Sequence, residues 1–309
     1  MSRLIPSIPI SPIHALKTGP FSGILLILAS GFALTTLDAS GKWVMAAGVP
    51  LLVFCWFRYS LHFLILTSVA VPALGVTVFQ AKHTKLQILR ACAMLCATLT
   101  FFQTLKYLHQ AEATAIIFVS PLLMLAIAPW LLKEPPRGSR WLAAACGLIG
   151  VLIVIRPSAG LHPMGVIAGL VTACLFAAQH LLTRMVATDH AYTTGLWSSG
   201  IGTLALTVAL PWTLSPALPA LKELSFGNWA LMLSTGLTGA TGHLLQSMAY
   251  RRAPASTLAP FIYMQIITAV TIGWLFWGHF PDALTWVGIT VICGSGILNS
   301  LNEWKQNRH

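Results

Sequence analysis

Cys96, Thr100, Gln103 and Tyr107 follow one another at spacings of four, three and four residues, and Gly239, His243, Gln246 and Tyr250 repeat that spacing 143 positions later. On an α-helix each set lies along one face. No nucleophile stands beside a matching base, so the groups lack the makings of acid/base or nucleophilic catalysis. Two uses remain for Thr100, Gln103, His243 and Gln246. They can hydrogen-bond a small polar solute, or they can tie helices together, as such side chains do within bundles. The doubling of the stripe favours a shared cavity.

A second doubled pattern is "LDASGK" with its counterpart "QHLLTR": Asp38 aligns with His180 and Lys42 with Arg184, at an offset of 142. Asp38 and Lys42 are four residues apart, so the spacing predicts an ion pair within one helix. Asp38, Gln179 and His180 are candidates for a cavity or gate, while Lys42 and Arg184 sit where their helices leave the apolar core and can snorkel. Asp38, His180 and His243 are also the groups able to carry a proton. Facilitated diffusion needs none of them. Arg58 is expected to anchor its helix against a neighbour.

The stretch "YRRAPASTLAPFIYMQ" (250–265) places Pro254 at a helix start and Pro260 deeper, where it must kink the helix. Pro121, after Ser120, should act similarly in the first half. Tyr263 and Gln265 follow Pro260, and Ser120 precedes Pro121, so both bends present polar groups to a solute path or simply fill space. Gly236, Gly239 and Gly242 are expected to permit close helix packing.

These residues lie in a chain that is 56% hydrophobic and 8% charged over 309 residues, with a mean hydropathy of +0.79. A soluble domain carries about 25% charge. Ten apolar stretches, near 21–43, 50–74, 86–106, 111–132, 140–156, 164–187, 191–213, 228–249, 254–278 and 283–301, are each long enough to cross a bilayer core of about 30 Å. Residues 1–20, with four prolines and no cleavage site, read as a disordered cytoplasmic tail. Residues 303–309 read as a second tail.

The formal charge of +11 need not mean a nucleic-acid partner. With both termini cytoplasmic, thirteen of the eighteen basic residues, Arg90 among them, fall at cytoplasmic span ends, as the positive-inside rule requires. The six cysteines lie within spans without metal-ligand spacing, and neither a metal nor a cofactor is expected. Most tryptophans lie near span ends as an aromatic belt; Trp43 and Trp197 are the two with a possible second use, against a solute.

The stripes belong to a longer internal repeat, 21–157 and 158–302. Gln103, Tyr107, Thr114 and Phe118 align with Gln246, Tyr250, Thr257 and Phe261. Each half holds five spans. An odd number makes equivalent helices enter the membrane from opposite sides, so the expected fold is an all-α integral membrane protein of ten transmembrane helices, two inverted-topology five-helix repeats around a central cavity.

The segments "LDASGKWV", "FRYSL", "EATAIIFVSPLL", "LLKEPPRGSRW", "GLIGVLIVIRP" and "WGHFPDALTWVGI", with that duplication, resemble the EamA branch of the drug/metabolite transporter superfamily. The resemblance covers about residues 20–302 and departs at His279, where such repeats often carry a glutamate, as Glu134 does in the first half. It implies an inner-membrane exporter of amino acids or similar small metabolites. The polar stripes imply a site with few fixed charges, suited to a zwitterionic or uncharged solute, in a monomer or weak homodimer embedded in lipid.

Two other readings stay open. Efflux of cationic drugs predicts block by aromatic cations, and a membrane enzyme predicts a chemically changed product. The absence of a P-loop argues against direct coupling to ATP.

Overall fold

The computed structural model describes residues 20–132, 138–156, 160–186, 188–253, 258 and 261–306. The Pro254 helix start, the Pro260 kink, Glu134 and residues 1–19 of the expected tail lie outside these residues. Every one of the ten expected spans contains helix. α1 is Pro20–Ala46, α2 Leu51–Leu74, α3 Thr84–Tyr107, α4 Gln110–Ile117, α5 Ser120–Leu132 and α6 Gly138–Ile155. The second half holds α7 Pro163–Met185, α8 Ala191–Glu223, α9 Phe226–Arg252, α10 Met264–Trp277 and α11 Ala283–Gln306. Five of these (α1, α2, α3, α7 and α8) are long and apolar enough alone to cross a membrane, and four other segments form shorter apolar helices.

Local chemistry fixes the helix starts. Pro163 opens α7, where a missing N–H costs nothing, and the His162 ring accepts the Met164 N–H at 3.2 Å. His190 and Ser225 cap α8 and α9 through the Tyr192 and Asn228 N–H groups. Asp282 caps α11, taking the Thr285 N–H at 2.8 Å. Gly278 ends α10 with φ of 67°, the left-handed conformation that glycine alone adopts cheaply.

Three boundaries differ from expectation. The fourth span breaks at Phe118–Val119 into α4 and α5. Pro121, expected to bend this span, stands just past that break, in the first turn of α5, where its missing N–H leaves few helical bonds unmade. α8 continues ten residues past the expected end at 213, through Pro211, Pro216 and Pro219, to Glu223. Residues 303–306, expected in a tail, continue α11.

The packing pairs helices from opposite halves. α1 lies on α9 while its repeat counterpart α7 lies on α3; α2 lies on α8 and α9, and α8 also touches α3. α1 meets α10, and α5 meets α7. α6 crosses α11 with backbones almost touching: a Cβ on Gly288 would stand 2.7 Å from the Gly150 carbonyl, and one on Gly150 2.9 Å from the Gly288 carbonyl. Small residues at such crossings replace the hydrophobic drive that lipid cannot supply.

Candidate functional site

Polar side chains gather in three layers along the bundle. The outermost, at the end where α1, α3 and α10 finish, is a vestibule of about 350 Å³. Its wall includes Lys42, Tyr107, His109, Glu112, His162, Trp277 and His279, and His109, His162 and His279 are exposed at its rim. Tyr107 stacks on His162 with ring centres 4.4 Å apart, and His109 lies 3.7 Å from His279. Partial burial, then the His279 ring and the Lys42 ammonium, push the His109 imidazole down to about 4. Hydrogen bonds from Thr285, helped by the ion pair with Arg156, hold the Asp282 carboxyl below its usual range.

The expected Asp38–Lys42 pair is not made. The Lys42 ammonium instead donates to the Leu108 carbonyl at 2.7 Å and lies 5.7 Å from the Trp277 ring centre. A backbone acceptor and an aromatic face at the helix end satisfy it better than a carboxylate one turn deeper. Asp38, half-buried, is left within electrostatic reach of Arg58 on α2.

Below the vestibule lies the second layer, a chamber built from α2, α3, α8 and α9. The His62 and His243 rings are parallel within 7°, with centres 5.9 Å apart. Arg58 stands one turn before His62. The Cβ position of Gly239 is 3.8 Å from both Arg58 Nε and His62 Nδ1. A Cβ there would also stand 3.0 Å from Leu37, so this glycine is a close helix contact, as are Gly236 against Leu61 and Gly242 against Leu34. Arg58 and His62 are 6% and 2% exposed. The guanidinium lies 5.2 Å from the Tyr59 ring centre and 5.7 Å from that of Phe102. Among the described residues its Nε and Nη1 have no hydrogen-bond partner, nor do Nε2 of His62 and of His243. Gln246, three residues after His243, reaches the imidazole. The space between His62, Arg90, Ser198 and His243 is about 20 Å³, room for about one water.

The third layer closes the opposite end. Arg90, expected at the cytoplasmic rim, is buried. Its Nε donates to Thr183 on α7 at 2.7 Å, and its Nη1 donates to Ser198 and to the Thr194 carbonyl on α8. Gln87, one turn earlier, donates to Thr194 and to Asp189, which also accepts the Lys82 N–H. Three helices are thereby laced together.

The other expected site residues are spread more widely. Thr172 on α7 donates to Thr100 at 2.7 Å, a helix tie rather than an open hydroxyl. Gln103 is half-buried one turn further along α3. Gln179 is buried and bonds within α7 to Thr183, and His180 stacks on Phe176, within electrostatic reach of Arg90. Ser120 is buried at the start of α5. Tyr263 packs edge-on against Phe118 and over Gly296, filling space between the end of α4 and α11. Gln265 lies against Gly31 of α1. Trp43 packs on Trp277 and Phe276, and Trp197 donates to the Phe79 carbonyl at 3.0 Å.

Sequence reasoning missed His62, Gln87 and Ser198, and it misplaced Arg90. Position along a helix tells depth but not which neighbours close over a side chain. One signal was present: Arg58 and His62 are four apart inside an apolar span. Two cationic side chains, Arg58 and Arg90, are buried at depth beside stripes that suggested few fixed charges.

The model of the EamA-like transporter family matches residues 21–156 and again 163–301. Over 284 residues the chain is 25% identical to a pseudopaline exporter of Pseudomonas aeruginosa, covering 88% of this chain and 94% of that one. It is 24% identical to a riboflavin transporter of Rhizobium johnstonii, covering 93% of each, and 23% identical to one of Vibrio cholerae, covering 95% and 98%. A solved crystal structure, 15% identical, superposes with a TM-score of 0.63 over 91% of this chain and 98% of the other. At that identity the likeness speaks for the fold alone.

Proposed function

The chain belongs to the EamA-like transporter family, a multi-pass membrane transporter rather than an enzyme, and we propose that it exports small polar metabolites, foremost amino acids, from the bacterial cytoplasm. Its two halves, inverted relative to each other, expose one central chamber alternately to either side. The observation that carries this reading is the contrast between the two ends. One is laced shut by Arg90, Gln87 and Asp189, the other opens as a vestibule of about 350 Å³, and unpartnered polar groups lie between them. A pore would need both ends open together. The packing supports inversion, since the α1–α9 contact recurs as α7–α3 and the α1–α10 contact as α7–α5.

In the transport step the solute replaces the hydrogen bonds that the chamber groups lack, because only a bound ligand or water can satisfy them at this depth. Opening the far end requires the Arg90 lattice to part, and Thr183, Ser198 and Thr194 are neutral acceptors that release it more cheaply than carboxylates would. Asp38, His180 and His243 remain the groups for any coupled proton, and counterflow that ignores pH would remove that coupling.

Relatives named for pseudopaline export and for riboflavin transport indicate that the family's fold accepts unlike solutes, so the side chains of this chamber must set its own. Counterflow in proteoliposomes tests the reading. Vesicles preloaded with an unlabelled amino-acid mixture should take up labelled amino acids faster, with saturation. Flux blocked by aromatic cations instead would establish drug efflux, and the absence of any trans-acceleration would sink the carrier.

A further inference from the structure

Resting on the chamber being the solute site, we propose that it is built for a solute carrying a carboxylate and a net negative charge, and that Arg58 is the residue that reads the carboxylate. The argument begins with charge. Two guanidiniums, Arg58 and Arg90, are each 6% exposed, and Asp38 is the carboxylate within electrostatic reach of Arg58. Among the described residues the other titratable groups facing them, His62, His243 and His180 with Tyr59 and Cys55, bring no carboxylate to balance the second arginine. Asp189 is held by Gln87 and the Lys82 N–H. Among the described residues the chamber therefore holds one arginine more than it has carboxylates, in surroundings where an unbalanced charge is costly.

Unmade bonds point the same way. Arg90 is occupied by neutral oxygens on α7 and α8. Arg58 keeps Nε and Nη1 without acceptors, held between the Tyr59 and Phe102 rings. An arginine clamped by rings and short of acceptors is preset for a carboxylate. The Nε2 atoms of His62 and His243, also unpartnered, stand on neighbouring turns and neighbouring helices, able to donate to further oxygens of the same ligand. An ammonium group has one matching partner, Asp38; a bare cation would meet two like charges.

The test is thermal unfolding of the detergent-purified protein with three probe sets at equal millimolar concentration. These are an acid set (glutamate, aspartate and C4–C6 dicarboxylates), a neutral set led by glutamine, the uncharged isostere of glutamate, and a diamine set. The acid set should raise the midpoint by several degrees, and glutamine and the diamines should not. Arg58→Gln should abolish the shift, whereas Arg58→Lys, which keeps the charge but not the planar fork, should weaken apparent affinity at least tenfold. Should Arg58→Gln not fold, the Arg58→Lys titration decides. No shift with acids, a shift from the neutral or diamine set instead, or an unchanged affinity in Arg58→Lys overturns the assignment. Counterflow of neutral amino acids without any response to acids would leave the transporter reading standing and remove only this one.

Discussion

A guanidinium sealed between aromatic rings loses water that each ring repays with only about 0.5–2 kcal/mol, so Arg58 makes sense as a group awaiting a partner. Thr100 shows the opposite case. Its hydroxyl sat on the stripe that suggested a cavity, yet Thr172 occupies it. Thr172→Val should therefore cost stability of about 0.6 kcal/mol, the average for such interhelical bonds, and leave the solute's half-saturation unchanged in counterflow. His109, outside the spans, gives a pH prediction. Its folded value of about 4 lies below the ordinary 6.5, so the unfolded chain takes up the proton first as pH falls. Stability is whole above about 6.5 and is lost progressively down to about 4; melts of His109→Gln should lose less across that window. At this scale the sequence disclosed which polar residues were at depth, as with His243 and Asp38. It could not tell a tied hydroxyl from a free one, since that depends on a neighbour 72 positions away.

Helices carry the next level of constraint. Where α6 crosses α11, a Gly288→Ala methyl would stand 2.7 Å from the Gly150 carbonyl, whereas one at Gly294 on the same helix meets nothing within 4 Å. Gly288→Ala should lower stability by about 1–3 kcal/mol through overpacking. Gly294→Ala should raise it by up to about 1 kcal/mol through helix propensity, so thermal midpoints that move together would refute the crossing. The closing lattice offers a second test. Asp189→Asn weakens the anchor of Gln87, and in a protein with its six native cysteines replaced, a Met94→Cys probe beside the chamber should react faster with a polar maleimide added from the Arg90 end. Unchanged labelling would place the gate elsewhere. Helix positions were legible because apolar length is written locally. The α8 extension was not, because Pro211, Pro216 and Pro219 read as stops until neighbouring elements hold the chain helical.

At the scale of the molecule, the proposal of two inverted halves starts from the aligned pairs Gln103/Gln246 and Tyr107/Tyr250, and the paired helix contacts support it. The all-helical, multi-span character was readable because apolar length recurs along the whole chain. What the repeat hid was asymmetry: Arg58, His62 and Arg90 lie in the first half alone, aligned with no cation in the second. The frame is doubled, and the charge inside it is single. The central claim is that the vestibule and the Arg90 end open in turn. It is tested most directly by spin-label distances in lipid nanodiscs, with one label pair across the vestibule at Leu161 and Phe280 and another across the closing end at Lys85 and Thr188. Two populations are predicted, in which every shortening of the vestibule distance accompanies a lengthening at the other end, their ratio shifting when transported solute is added. Two fixed distances, or both ends widening together, would contradict the account.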